Sequence, residues 1–360
     1  MAIVGSGASG LAAGTEASRA GAHVIVVDEN MMPGGQLFKQ IHKFFGSYKH
    51  YAGIRGYEIG KELLEEAKKS GVEILLNSYV CGVNGRNLAV AEVGSVRWLK
   101  SKQIIFACGA SEKLISFPGW TLPMVMCAGA AQTMVNVHRV LPGRRFLMVG
   151  AGNIGLIVAY QLLQAGAEVV AIVEALPHIG GYDVHASKVR RAGVPIMTSH
   201  TIKEAHGKDR VEEATVVALD DEMKPVPNSE SKFDVDAICL AVGLKPNLEL
   251  LLSAGCKTMF LPAIGGRVPI HDENMETTIN DVYVAGDAAG IEEASTAIEQ
   301  GRLAGVAAAY KLGYLSKSAA EGMKATFSET LSDLRSGPFA EQRKLAKEEL
   351  IKTAQRMKGL

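Results

Sequence analysis

The sequence predicts an α/β fold, because one pattern of strand, glycine-rich turn, helix and strand occurs twice in 360 residues. The first copy spans about residues 2–28 and the second about residues 145–173. Apolar residues make up 48% of the chain, and 39 residues are glycine. Such a composition suits parallel sheets that are buried on both faces and the tight turns that join strand to helix. The length favours two domains over one core.

The bulk charge argues against two classes of partner. The 38 Lys and Arg residues balance the 38 Asp and Glu residues, and no basic cluster occurs. The sequence therefore predicts binding neither to nucleic acid nor to an anionic membrane surface. No apolar run approaches the ~18 residues that a membrane span needs. Five scattered cysteines and nine histidines without ligand spacing predict no disulfide framework and no metal site, so a reducing cytoplasm is the expected location.

The first glycine-rich turn has the spacing of a dinucleotide-binding fingerprint. Gly5, Gly7 and Gly10 lie between a strand and a helix, and Asp28 ends the next strand eighteen residues after Gly10. The first glycine of such a turn makes the bend, the second lets the backbone approach a pyrophosphate, and the third lets helix and strand pack closely. The helix N-terminus favours phosphate, and the acid accepts hydrogen bonds from a ribose. These residues predict a nucleotide site.

The second turn repeats this fingerprint, and Glu174 follows Gly155 by nineteen residues. An acid at this place accepts a free ribose 2′-hydroxyl and repels a 2′-phosphate, so NAD is favoured over NADP. The next three residues include no arginine that could bind such a phosphate. Two alternatives stay open, a fold that no longer binds a cofactor and a site for another adenine nucleotide. The predicted NAD contacts are Gly150, Gly152, Asn153, Ile154, Gly155 and Glu174.

The late segment 277–287 (TTINDVYVAGD) follows the two fingerprints in the chain. Together they resemble the two-dinucleotide flavoprotein superfamily that includes thioredoxin reductase and glutathione reductase. The resemblance implies FAD in the first site, with Asp287 holding the ribityl–phosphate region of the flavin. It also implies two Rossmann-like dinucleotide-binding domains, the second inserted into the first. The expected segments are an FAD domain at 1–116 and 256–318, an NAD(H)-type nucleotide domain at 117–255, and a helical tail at 319–360.

Other stretches complete the FAD site that the resemblance implies. Gly34, Gly35 and Gln36 resemble the loop that approaches the flavin in this superfamily, and 104–110 (IIFACGA) resembles the strand that closes the first FAD segment. A helix N-terminus after Asp287 would stabilise a reduced, anionic flavin. The expected FAD contacts are Gly5, Gly7, Ser9, Gly10, Asp28, Glu29, Gly35, Gln36, Ala107, Gly109, Gly286, Asp287 and Ala297.

A narrower resemblance rests on the segments 109–113 (GASEK), 117–123 (FPGWTLP) and 128–132 (AGAAQ). They resemble the α-type subunits of heterotetrameric sarcosine oxidase, hydrogen cyanide synthase, opine dehydrogenase and dye-linked proline dehydrogenase. In those complexes a separate FAD subunit oxidises the amine, and the α-type subunit takes part in electron relay. The resemblance thus implies that the partner is a second FAD-containing, amine-oxidising subunit. Because this chain has no cysteine-rich segment for a cluster, a small iron–sulfur (2Fe–2S) protein is a further expected partner.

Cys127 lies where thioredoxin reductases place the first cysteine of a redox pair. The second position is Ala130, so disulfide exchange through two cysteines is not available. Cys127 is therefore expected to pack rather than react. No catalytic residue is predicted, since the cofactor would carry the chemistry.

Three functions follow from these patterns. The leading one is an FAD-binding electron-transfer subunit of an amino- or imino-acid dehydrogenase complex. A stand-alone NADH-dependent flavoprotein reductase is the second, and a non-catalytic nucleotide-binding scaffold is the third. Activity that needs a partner favours the subunit, flavin bleaching by NADH in the isolated chain favours the reductase, and bound nucleotide without turnover favours the scaffold.

Overall fold

The chain folds into two compact units. The computed structural model describes residues 1–44, 48–337 and 340–359. Met1–Ser111 and Leu244–Leu360 form the first unit, and Glu112–Gly243 forms the second. The second unit begins and ends earlier in the chain than the middle segment 117–255 expected from the sequence. The expected tail 319–360 belongs to the first unit, and its residues 338, 339 and 360 lie outside the described part.

Short strands and helices alternate along the chain, and no helix in its described part is long and apolar enough to cross a bilayer. The strands are β1 (Ala2–Val4), β2 (Ile25–Val27), β3 (Glu73–Leu75), β4 (Tyr79–Asn84), β5 (Asn87–Glu92), β6 (Ser95–Lys100), β7 (Ile104–Phe106), β8 (Ala110–Glu112), β9 (Val125–Cys127), β10 (Arg145–Val149), β11 (Glu168–Glu174), β12 (Ile196–Thr198), β13 (His200–His206), β14 (Glu213–Ala218), β15 (Ser231–Asp234), β16 (Ala237–Leu240), β17 (Leu244–Pro246), β18 (Thr258–Leu261), β19 (Gly266–Pro269) and β20 (Val282–Val284). The helices are α1 (Ala8–Arg19), α2 (Gly56–Lys69), α3 (Ala128–Asn136), α4 (Asn153–Gln164), α5 (Asp183–Arg191), α6 (Glu249–Ser253), α7 (Ala294–Lys311), α8 (Lys317–Leu334) and α9 (Glu341–Lys358).

The main sheet of the first unit is parallel, with five strands in the order β20-β7-β1-β2-β3. Every residue of β1, β7 and β20 is buried, because apolar side chains fill both faces of the sheet. The register aligns Val4 with Val27 on one side and with Phe106 on the other. The carboxyl ends of these parallel strands meet at one edge, so the segments that follow β1, β2, β7 and β20 lie together there.

The second unit repeats this arrangement with its own sheet, in the order β12-β11-β10-β16-β9. Val149 at the end of β10 pairs with Val173 and Leu240 on the two neighbouring strands. The predicted repeat of strand, turn, helix and strand over about 145–173 is confirmed by β10, α4 and β11. An antiparallel sheet of β13, β14 and β15 completes the unit. The predicted α/β class with parallel sheets is confirmed.

Helices α1 and α7 of the first unit pack through glycine. A Cβ on Gly301 would collide with the carbonyl oxygen of Ser9, and a Cβ on Gly305 would collide with that of Ala13. The two helices therefore touch through their backbones, which leaves no room for a methyl group. This contact holds the first turn of α1 beside the segment between β20 and α7, where the Ser9 hydroxyl donates to the Ala285 carbonyl at 3.5 Å.

Replacement of Gly301 by Ala should destabilise the protein by about 1–3 kcal/mol, because the new methyl group forces the two helices apart. Gly322 in α8 is the matched control, since a Cβ there meets nothing within 4 Å. Gly322→Ala should stabilise by ~0.5–1 kcal/mol through helix propensity alone. Urea midpoints of both variants measure the difference. Equal midpoints for the two substitutions would contradict the close packing of α1 and α7.

Candidate nucleotide-binding sites

The fingerprint turn of the first unit has no room for side chains at two of its glycines. Gly5 has a φ of +101°, and a Cβ on it would collide with the carbonyl oxygen of Ala107 at the end of β7. A Cβ on Gly10 would collide with the carbonyl oxygen of Gly5. A Cβ on Gly7 would meet nothing within 4 Å. The turn thus packs tightly against the sheet on one side and leaves its backbone open at Gly7, as the approach of a pyrophosphate requires.

The loop with paired glycines returns to this turn. The Gly34 amide donates to the Ser6 carbonyl at 2.8 Å. Gly35 has a φ of +54°, and a Cβ on it would lie 2.9 Å from the Cα of Gly7. Gln36 is exposed beside it. The structure therefore brings together two segments that the sequence assigned to the same cofactor.

Asp28 is almost fully engaged by protein donors. One carboxylate oxygen accepts the Ser6 amide and the Ser6 hydroxyl, both at 2.6 Å. The other accepts the amide and the side-chain nitrogen of Asn30, both at 2.8 Å. A carboxylate has about four acceptor positions, so these four bonds use its capacity. A ribose hydroxyl could bind Asp28 only in exchange for one of these donors, whereas the neighbouring Glu29 is exposed.

The late motif meets the first turn of α1. A Cβ on Gly286 would lie 2.5 Å from the Ser9 hydroxyl and 3.6 Å from the Cβ of Ala297. Three expected FAD contacts from distant parts of the chain are therefore neighbours. Gly109 follows β7 with a φ of +65°, and a Cβ on it would meet nothing within 4 Å.

Asp287 is half-buried in an electronegative setting. Burial raises the pKa of its carboxyl to about 6, the hydrogen bond from the Glu292 amide acts against this rise, and the charges of Glu292 and Glu293 add to it. The Glu292 amide lies 3.4 Å from one of its oxygens. Since the folded chain then holds this proton more tightly than the unfolded chain does, stability falls as the pH rises from 3.8 through about 6. A hydroxyl donor on Asp287 would favour its ionised form, which fits the expected contact with a ribityl chain.

Sequence reasoning missed the residues that support this turn. The Gly286 amide donates to the side-chain oxygen of Gln300 at 2.9 Å, and the Gln300 amide group donates to Glu292 at 2.7 Å. Arg335 donates to both carboxylate oxygens of Glu292, at 2.7 and 2.8 Å. No motif pointed to Arg335, because it follows α8 and meets Glu292 only through the tertiary fold.

The fingerprint turn of the second unit has the same geometry. Gly150 has a φ of +107°, and a Cβ on it would collide with the carbonyl oxygen of Ala241. A Cβ on Gly155 would collide with the carbonyl oxygen of Gly150, whereas one on Gly152 would meet nothing within 4 Å. Ile154, the second residue of α4, is 37% exposed. The second turn, like the first, therefore packs closely at its first and third glycines and is open at its second.

Glu174 differs from Asp28 in its free capacity. One of its oxygens accepts the Ala151 amide at 2.8 Å, and the other accepts the Leu176 amide at 3.1 Å. About two of its four acceptor positions therefore stay available for hydroxyl groups. Ala151 stands where the first turn has Ser6, so the second acid has no serine hydroxyl as a competing donor.

A second pair of glycines was also missed. The Gly181 amide donates to the Ala151 carbonyl at 3.0 Å, and a Cβ on Gly181 would lie 2.9 Å from the carbonyl carbon of Gly152. The Asn153 side chain accepts the Tyr182 amide at 2.8 Å. This loop contacts the second fingerprint turn as the paired glycines of the first unit contact theirs.

The spacing between acid and glycine pair in the sequence already indicated this loop. Gly34 follows Asp28 by six residues, and Gly180 follows Glu174 by six residues. Comparison of the two copies beyond their acids would have found it.

Cys127 has the surroundings of a packed thiol. It is the residue before α3, and burial raises the pKa of its thiol, with Glu112 acting in the same direction. The Glu112 carboxylate accepts a hydrogen bond from the Gly129 amide at 2.9 Å, at the start of the helix. A raised pKa disfavours the reactive thiolate. Within the described ranges, no three His, Cys, Asp or Glu side chains are grouped as metal ligands.

Residues 1–301 match the family described as pyridine nucleotide-disulphide oxidoreductase. This match covers most of the chain, which therefore belongs to that family of oxidoreductases. The predicted resemblance to two-dinucleotide flavoproteins is confirmed.

Two relatives are enzyme subunits by name. An opine oxidase subunit of Agrobacterium tumefaciens (strain Ach5) is 28% identical, over 85% of this chain and 64% of its own length. Hydrogen cyanide synthase subunit HcnB of Pseudomonas aeruginosa is 26% identical, over 84% of this chain and 69% of its own. This chain thus spans less than two thirds of the opine oxidase relative. The predicted likeness to such subunits is confirmed.

Solved structures show the same fold. Thioredoxin reductase of T. acidophilum superimposes with a TM-score of 0.70 at 20% identity, over 86% of this chain and 97% of its own. L-proline dehydrogenase of P. horikoshii superimposes with a TM-score of 0.69 at 21% identity, over 92% of this chain and 58% of its own. The predicted fold class is confirmed.

Proposed function

We propose that this chain is an FAD-binding electron-transfer subunit of a multi-subunit amino- or imino-acid dehydrogenase complex. The observation that carries the proposal is the meeting of four segments at one edge of the first sheet. They are the turn at Gly5–Gly10, the loop at Gly35, the end of β7 at Ala107 and the late motif at Gly286. The family and the named subunits among the relatives support this function.

The residues of the first unit would bind and orient the flavin, which supplies the electron-transfer chemistry when bound. The open backbone at Gly7 and the N-terminus of α1 would receive the pyrophosphate. Gly35, packed on Gly7, would let the chain approach the flavin edge without a side chain. Asp287 would accept a hydrogen bond from the ribityl region, which would pair its buried charge.

The second unit would bind NAD(H). Its turn has the same open second glycine, and Glu174 has acceptor positions left for a ribose. This free capacity also favours a second candidate function, a stand-alone NADH-dependent flavoprotein reductase. The two functions share the FAD site and differ in whether NADH or a partner subunit reduces the flavin.

The expected partners are a small iron–sulfur (2Fe–2S) protein and an amine-oxidising FAD subunit. Two features of this chain support a partner. The position three residues after Cys127 is Ala130, which removes the two-cysteine route to an acceptor. The relatives named above are themselves called subunits.

The protein should purify yellow or take up FAD on reconstitution, and Asp287→Ala should weaken FAD binding by about 1–3 kcal/mol through loss of a charged acceptor. Asp221→Ala is the control, because Asp221 is exposed and lies in the second unit. Titration of FAD by flavin fluorescence measures both affinities. A wild-type chain that stays colourless after incubation with FAD would refute the FAD site.

The second site should prefer NADH to NADPH, because Glu174 would repel a 2′-phosphate. The double substitution Glu174→Ser with Ala175→Arg should narrow or reverse the preference by replacing this repulsion with attraction. Calorimetric titration of both nucleotides measures the ratio. Tighter binding of NADPH by the wild-type chain would show that Glu174 does not select the cofactor.

The isolated chain should not oxidise an amino acid efficiently. Dye reduction with proline or sarcosine should appear only when the second FAD-containing subunit is added, because the amine would be oxidised there. The assay compares the chain alone, the partner alone and the mixture. Comparable turnover by the chain alone would refute the subunit hypothesis, and rapid bleaching of its flavin by NADH would favour the reductase.

A further inference from the structure

Helix α9 carries a lysine that is buried beside the late motif. Lys347 is 2% exposed, and its ammonium group donates to the Ala289 carbonyl at 2.8 Å. The same nitrogen lies 3.6 Å from a carboxylate oxygen of Glu292 and 3.5 Å from Nε2 of His271. Helix α9 lies beyond the family match, which ends at residue 301. A long, charged side chain is almost never buried in this way without a partner.

His271 adds no charge to this group. Its Nδ1 lies 2.9 Å from the Asp272 carbonyl, which can only accept, so Nδ1 bears the proton and Nε2 faces Lys347 as an acceptor. Burial, with Lys347 and Arg335 beside it, lowers the pKa of His271 to about 3. The histidine is therefore neutral at ordinary pH.

The remaining buried groups balance in charge. Two carboxylates, Asp287 and Glu292, face two cations, Arg335 and Lys347. Arg335 forms a two-pronged pair with Glu292 at 2.7 and 2.8 Å, so this carboxylate has its counter-ion. Lys347 also lies 3.6 Å from Glu292, and it is the cation whose charge favours the ionised form of Asp287. A separate and more exposed pair, Arg343 of α9 with Glu293 at 3.1 Å, is neutral in itself.

These contacts also hold the backbone of the turn at Gly286–Gly290 on both sides of Asp287. Gln300 accepts the Gly286 amide at one end and donates to Glu292. Lys347, beside Glu292, binds the Ala289 carbonyl at the other end. Asp287 lies within this closed circuit, so its position depends on Gln300 of α7 and Lys347 of α9 together.

We propose that Lys347 is a positioning residue of the FAD site, which keeps Asp287 ionised and the turn at Gly286–Gly290 in place for the flavin. The inference rests on the proposed FAD function and extends it to a helix outside the family match. Loss of the lysine charge would remove the cation that favours the ionised form of Asp287, and a carboxylate in a desolvated place without such a charge takes up a proton more readily.

The pKa values set the direction of the test. Burial raises the pKa of Asp287 to about 6, and Lys347 acts against that rise. Burial lowers the pKa of Lys347 to about 8, so the lysine is still charged at neutral pH. If FAD needs the ionised carboxylate, FAD affinity falls as the pH drops through about 6 in the wild-type chain. Without the lysine charge the same fall should occur at higher pH.

The experiment measures FAD dissociation constants by fluorescence between pH 5 and 8, on full-length chains of wild type, Lys347→Met and Lys347→Arg. In Lys347→Met the pH midpoint of binding should move upward by about one unit, so affinity should fall by roughly twofold at pH 7 and by nearly tenfold at pH 5. Lys347→Arg keeps the charge and should retain the wild-type midpoint. Lys344→Met is the matched control, since Lys344 is exposed on the same helix.

The outcomes separate this inference from the function beneath it. A wild-type chain that binds no FAD at any pH overturns the FAD function and the role of Lys347 with it. If the wild type binds FAD and Lys347→Met weakens binding equally at every pH, Lys347 is only structural and the inference is wrong. Asp287→Asn gives a further check, because it should remove the pH dependence in both the wild-type and the Lys347→Met background.

Discussion

Both nucleotide sites depend on one constraint, the contact of backbone with backbone where a helix begins directly after a strand. In each unit the first and third glycines of the turn have no space for a Cβ, since carbonyl oxygens occupy it. The turn can then bend back onto the sheet, and the second glycine faces open space. A methyl group at either packed position would push the helix away from the strand ends. The direction of the helix N-terminus, and with it any phosphate binding, follows from this contact.

The two units use this shared geometry differently at their acids. Asp28 accepts four hydrogen bonds from Ser6 and Asn30, whereas Glu174 accepts two, both from backbone amides. Asp28 thus stabilises its own loop, and Glu174 has acceptor positions left for a ligand. A fingerprint read from glycines and an acid treats the two sites as equivalent. Counting of donors and acceptors shows that they are not.

Most of the fold was predictable, because it follows from local pattern. Apolar strands such as β1 and β10 and the glycine turns after them are visible in single segments of sequence. The support of the turn that carries Asp287 was not predictable, since Arg335 meets Glu292 and Lys347 meets Ala289 only through tertiary packing, and neither belongs to a motif. Long, charged helices such as α9 look like solvated surface in sequence. The contacts of one buried lysine among many exposed ones depend on where the helix packs.

The ion group of Asp287, Glu292, Arg335 and Lys347 connects helix α9 to the candidate FAD site of the first unit. Removal of one member of such a group leaves an uncompensated charge in a place where water cannot solvate it, which costs more than the ion pair itself contributes. The ionised form of Glu292 therefore depends on Lys347 and Arg335 together. Two of the four residues lie in the family match, and two lie beyond it, Arg335 directly after α8 and Lys347 on α9. Helix α9 is thus connected to the turn at Gly286–Gly290 through Lys347, and its Leu350 packs in one apolar cluster with Ile264.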